Sequence, residues 1–240
     1  MKQYVYICLS LLLCIPGCSW FDSAQGGDVV TQNRITADEK NKRIKEITMQ
    51  GNGTVILSSD EHTTVDIEGP EAEMKNVEAT IHDGHLSIKS SAKGPLTLYV
   101  MIDKDHYSDV EDINLSGAID FKTQYPIGRE RLEIEAVGSC KVKIAVDVEA
   151  LEITGNDSAQ FDIDGQAVSQ KVELKNASHY HAGSLITEEA EIDGSGSTRF
   201  MMNVSDSIKG SLVGASILSY RGAPKIQVTT SGAASVTKVD

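Results

Sequence analysis

Asp162 and Asp164 stand two residues apart, so on a strand they share one face, and a pair of carboxylates is what acid–base cleavage of a glycosidic bond uses. His179 and His181 have the same spacing and, with His82 and His85, invite a metal reading. The surroundings speak against both chemistries. No Cys, Asp or Glu falls in register beside the histidine pair, and the repeat described below turns it inward, near Phe161 and Phe200, as core or half-buried side chains. The aspartates fit a solvated strand face. No serine nucleophile elbow, phosphate loop or dinucleotide fingerprint is present. Ser139, Ser158, Ser178, Ser197, Ser216 and Ser235 are six equivalent serines, which marks them as structure rather than as one activated nucleophile. The expectation is a non-enzyme with no catalytic residue, metal or cofactor.

The elements that carry these side chains are set by the serines themselves. Their gaps are 19, 20, 19, 19 and 19 residues, a period that signals one unit stacked on copies of itself. Aligned on the serines, Ile134, Ile153, Leu174, Ile192 and Leu212 form an apolar column upstream. Downstream, Val142, Phe161, His181, Phe200, Ser219 and Lys238 form a column that begins apolar and turns polar, which suggests fraying or a partner at the C-terminal end. Alternation puts Lys141, Gln160, Tyr180, Arg199, Leu218 and Thr237 on the outside, so Tyr180 and Arg199 become a candidate contact patch on adjacent coils. The serines are expected as tight corners with their Gly, Asn and Ala neighbours.

The body reads almost wholly as short alternating strands from Ile44 onward. His82-Asp83-Gly84-His85 carries a hairpin signal, and Glu71 to Val77 is the one candidate for a helical turn or long loop. The fold expected is all-β: a right-handed parallel β-helix over residues 41–240, with coils of about 19 residues and a less regular N-terminal half. Each coil adds ~4.8 Å, and both ends of such a rod present unpaired strand edges.

Residues 1–17 read as a lipoprotein signal peptide: Lys2, an apolar run from Val5 to Ile15, then Ile15-Pro16-Gly17-Cys18. Cys18 is the expected lipidation site, so the membrane is reached through an N-terminal lipid. Ser19 in place of an aspartate points to the outer membrane, with the periplasmic or external face left open. Residues 18–40 are polar and read as a flexible tether. After processing only Cys140 remains, so no internal disulfide forms, and Cys140 is expected as a buried small residue. The net charge of −13 disfavours nucleic acid as a partner.

Several features together resemble the putative auto-transporter adhesin, head GIN domain family, common as lipoproteins of Bacteroidota. They are the strand opening into Gly51-Asn52-Gly53, the run Asp83-Gly84-His85-Leu86-Ser87-Ile88, the extended Leu96 to Ile102, Ile113-Asn114-Leu115-Ser116-Gly117-Ala118, and corners such as Gly194-Ser195-Gly196-Ser197. The resemblance spans roughly residues 44 to 240. It implies a non-catalytic β-helix, an adhesive role toward a host or envelope glycan or protein, and a homo-oligomer, trimeric by analogy with autotransporter heads. The alternatives are a carbohydrate-active β-helix enzyme, which an acid row along one face would favour, and a periplasmic structural or sensing scaffold.

Overall fold

The computed structural model describes residues 29–37 and 42–239; Cys18 and the leader lie outside the described residues. Among the described residues fifteen strands carry the chain. They are β1 (Val29–Thr36), β2 (Glu46–Asp60), β3 (Thr64–Pro70), β4 (Val77–His82), β5 (His85–Ser90), β6 (Thr97–Asp103), β7 (Asp112–Thr123) and β8 (Ile127–Gly138). Then come β9 (Lys141–Asp157), β10 (Gln160–Asn176), β11 (His179–Gly196), β12 (Arg199–Gly214), β13 (Ile217–Arg221), β14 (Lys225–Gly232) and β15 (Ser235–Lys238). One helical turn, α1 (Glu71–Met74), sits where the sequence placed it.

From β7 onward every pairing is parallel, coil on coil, and the whole is a parallel β-solenoid of about 7 turns. The long strands bend around a coil because left-handed residues recur at one place. Gly117, Gly138, Asp157, Asn176, Gly196, Gly214 and Gly232 all have positive φ, as does Gly51 in β2. From Gly117 to Gly214 each feeds the next coil through its carbonyl: Ser139 N–H donates to Gly117 O at 2.7 Å, Ala177 N–H to Asp157 O at 2.8 Å, Ser197 N–H to Asn176 O at 2.7 Å. At Gly117 glycine is favoured on two counts, since φ is +123° and an added Cβ would sit 2.1 Å from Gly51 O.

The six serines do not form one corner column, which corrects the sequence alignment. Successive coils are offset by 19, 19, 20, 18 and 18 residues at the pairs Lys141–Gln160–His179–Arg199–Ile217–Ser235, out of step with the serine gaps. Ser139, Ser158 and Ser197 are exposed at the corner. Ser178 and Ser216 fall one place further on, in a buried column with Cys140, Ala159 and Thr198. Ser235 is exposed, one place further again. The buried hydroxyls close the corner locally: Ser178 Oγ donates to Lys175 O at 2.9 Å and Ser216 Oγ to Val213 O at 2.8 Å. Thr198 Oγ1 donates to Ser216 Oγ at 2.8 Å, a bond between coils. Cys140 is buried, with Sγ near Val137 O, and burial pushes its thiol pKa up.

In the true register the inward column is Val142, Phe161, Tyr180, Phe200, Leu218 and Val236, apolar along its whole length. The late polarity expected from the sequence was a product of the slipped alignment. Fully burying each such side chain contributes ~1.5–3 kcal/mol, which sustains a core with few aromatics. Tyr180 hydroxyl donates to Gln170 Oε1 at 2.8 Å, and Gln170 Nε2 donates to Thr187 Oγ1 at 2.8 Å, so the polar atoms of this buried chain are partnered.

The N-terminal end is built differently. The first half of β2 pairs with β5, which turns back on β4 through Asp83 and Gly84 at positive φ, the expected hairpin. The second half of β2 pairs with β6, and β6, β3 and β1 follow in antiparallel order. Val29–Thr36 lies within the stretch expected as tether and is β1, a strand of the sheet. Met74 of α1 is buried beneath this end.

Candidate contact site

The expected Tyr180–Arg199 patch does not exist. Tyr180 is 1% exposed and packs on Phe161, with ring centroids 6.4 Å apart, while Arg199 is exposed on the opposite side of the sheet. A one-residue slip moves a side chain from one face to the other, and Ser158 to Ser178 is one residue longer than the coil there. For the same reason the histidine pair faces outward rather than into the core. His181 Nδ1 lies 3.0 Å from Asp162 Oδ1, and His179 Nε2 lies 3.2 Å from Arg199 Nη1. Partial burial, then the Arg199 charge, lowers the His179 pKa. His82 and His85 sit on the distant hairpin, beside Asp83 and Thr48 respectively. Among the described residues no three metal-ligating side chains converge.

On the other outward face the register stacks acids that the serine alignment did not test. Glu46, Asp112, Glu133 and Glu152 occupy one column on consecutive rungs. Arg131 holds two of them, with Nη2 at 2.9 Å from Glu133 Oε2 and 3.0 Å from Glu152 Oε2. Arg129 holds the adjoining Glu111 at 2.7 Å. Asp112 has its pKa raised, by partial burial and then by the charges of Glu46 and Glu111. The row lies along an open sheet face.

A second feature is built from two loops that interrupt the N-terminal half. Tyr107 opens a short 3-10 turn, Tyr107–Asp109, and is buried; Tyr125 lies between β7 and β8 and is 53% exposed. Their rings meet edge to face at 6.3 Å, and Tyr107 hydroxyl donates to Tyr125 O at 2.9 Å, which fixes the loop that presents Tyr125. Burial pushes the Tyr107 hydroxyl up to about 12, so it stays a donor. With Asp60, Glu61 and Lys104 the two rings line an open cleft of about 410 Å³. Lys104 N–H donates to Asp60 O at 2.8 Å and Ser58 Oγ to Gln124 Oε1 at 2.6 Å, tying both loops to the end of β2. An exposed aromatic face ringed by charged and hydroxyl groups suits contact with a sugar or with a protein surface. The sequence held one signal for it: Tyr107 and Tyr125 are tyrosines that fall in breaks of the strand pattern.

These surfaces sit on a parallel β-solenoid closed at one end by antiparallel strands. The chain belongs to the family described as putative auto-transporter adhesin, head GIN domain, whose model matches residues 43–224. Solved structures share the fold at low identity. A putative adhesin from Bacteroides fragilis is 18% identical, with 88% of this chain and 97% of that chain covered and a TM-score of 0.77. A protein from Parabacteroides distasonis described as a putative lipid binding protein is 16% identical, with 90% and 98% covered and a TM-score of 0.66. A putative adhesin from Parabacteroides merdae is 16% identical, with 89% and 97% covered and a TM-score of 0.62. No curated protein matches the chain. Among the described residues no helix is long and apolar enough to cross a membrane.

Proposed function

We propose that this protein is a non-catalytic adhesin-like module of the cell envelope, lipidated at Cys18, held at the outer membrane, and contacting glycan or protein through the Tyr125 cleft. The observation that carries this reading is the exposed Tyr125 ring, fixed by a buried tyrosine and flanked by Asp60, Glu61 and Lys104. Membership of an adhesin-like family supports it. The test is binding of the purified protein to an array of envelope and mucin-type glycans, wild type against Tyr125→Ala. Loss of binding of about tenfold or more with unchanged melting supports the reading. Equal binding by both proteins removes the cleft from it. Protease shaving of intact cells separates an external from a periplasmic position.

The acid row supports a second reading, a carbohydrate-active enzyme in which Asp112, with its raised pKa, is the acid. Two of the row's carboxylates are held by Arg131 instead of being free to exchange protons, which favours the non-catalytic reading. Release of reducing ends or unsaturated sugars from an acidic polysaccharide, abolished by Asp112→Asn, would establish the enzyme.

A further inference from the structure

A polar pocket of about 420 Å³ lies at the corner where β2 turns at Gly51, beside the β4–β5 hairpin. Lys75 and Asn76 reach it from the loop after α1, Glu78 from β4, Lys89 from β5, Ser91 from just past β5, and Gln50 from β2. Backbone bonds hold these pieces in place. Ser91 N–H donates to Asn76 O at 2.9 Å, and β5 runs beside β2 as far as Ser90 against Gly51. The pocket is separate from the Tyr125 cleft, since Gly51 and Asp60 stand nine residues apart on β2, ~30 Å of extended chain.

Four of its side chains are uncommitted. Among the described residues Lys75, Glu78, Lys89 and Gln50 make no ion pair and no side-chain hydrogen bond. Lys89 and Glu78 stand opposite each other across β5 and β4 without closing to ion-pair distance. Lys122, Lys171 and Lys209 differ in this, each lying within 3.0 Å of a carboxylate. Two ammonium groups against one carboxylate make the pocket a positive spot on a chain of net charge −13. No lining side chain is apolar, so a hydrophobic or aromatic ligand finds nothing to pack on. What suits the pocket is polar on every side and carries an anion. We propose that it holds an acidic sugar residue of a glycan, a contact additional to the Tyr125 cleft. The carboxylate or phosphate of the sugar sits between Lys75 and Lys89, where charge-assisted hydrogen bonds hold it. Ring hydroxyls donate to Glu78 and exchange hydrogen bonds with the Gln50 amide.

Ligand-observed magnetic resonance with the full chain in mild detergent tests this, using glucuronate and glucose 6-phosphate as probes. Both should bind with a Kd of ~1 mM or tighter, and glucose at least tenfold more weakly. Lys75→Gln with Lys89→Gln should weaken both at least tenfold at unchanged melting temperature, because both side chains are exposed. Glu78→Gln should narrow the margin between glucose 6-phosphate and inorganic phosphate. Tyr125→Ala should leave all of these values alone, so failure of the cleft and failure of this pocket are read separately. No binding at ~20 mM, glucose bound equally well, or a lysine variant that binds like wild type would overturn the proposal. Inorganic phosphate held as tightly as glucose 6-phosphate would mean an adventitious ion only, and would overturn it too. So would loss of the acidic sugars on Tyr125→Ala, which would place them in the cleft.

Discussion

Replacing Gly117 by alanine probes the device that bends every coil. The residue has φ +123°, and its Cβ would lie 2.1 Å from Gly51 O, an atom of backbone held in the rung above. The unfavourable backbone conformation costs ~1–2 kcal/mol. Relieving the overlap means shifting one rung against another, for which overpacking values of ~1–3 kcal/mol apply. Alanine also restricts the unfolded chain, which offsets ~0.4–1 kcal/mol. The net loss expected is therefore about 1.5–4 kcal/mol. Urea unfolding followed by far-ultraviolet dichroism reads it: with an m-value of ~2 kcal/mol/M the midpoint falls by about 0.7–2 M. Asn176→Ala, at φ 61° and with no glycine overlap, should lose less, and Ser139→Ala at the exposed corner almost nothing. A Gly117→Ala midpoint within experimental error of wild type, or the same loss in all three variants, would refute the idea that one left-handed column sets the bend.

Tyr180→Phe leaves Gln170 Oε1 buried without its donor and should cost ~1–3 kcal/mol; in a double-mutant cycle with Gln170→Leu the two losses should be clearly less than additive. The raised pKa of Asp112 means the folded state holds that proton to higher pH than the unfolded chain does, so ionising it weakens folding. Its contribution is absent well below the carboxylate range and grows unfavourable as pH rises through it. Asp112→Asn should accordingly gain stability over wild type at neutral pH and show no gain in strong acid, read by melting temperature across pH. Cys140 is buried and its thiol pKa is raised, so a thiol reagent at neutral pH should label it only after urea unfolds the solenoid.

Much of this architecture was legible in the chain. The near-constant period gave the stacked parallel coils, Asp83-Gly84 gave the hairpin, and Glu71 to Val77 stood out as a helical turn or long loop, of which the first four residues are helical. Register was not legible, because the coils vary between 18 and 20 residues and serine occupies three different places at the corner. The residue type that marks the corner is any that tolerates positive φ, and Asp157 and Asn176 interrupt the glycine series. A search for repeated glycine together with Asn and Asp would have found it. The slip carried Tyr180 to the surface and His181 to the core on paper, and in the molecule each lies on the other side. The antiparallel cap was hidden for another reason: the pairing of β1 with β3 spans residues whose polar sequence has no alternation to declare it. The Tyr107–Tyr125 cleft depends on two loops meeting across the sequence, which no local pattern records.

The hydrogen bonds between coils point along the long axis, and the carbonyls of the corner column form one file among them. Mechanical load therefore has two very different routes through the molecule. A pull across a coil strains many of these bonds together, as shear. A pull along the axis at the last coil strains one rung at a time, as a zipper. Each rung that opens would release about 19 residues, or ~60 Å of extended chain, before the next takes the force. A protein loaded at that end would lengthen in steps and dissipate tension, while the coils nearer its antiparallel cap stayed folded.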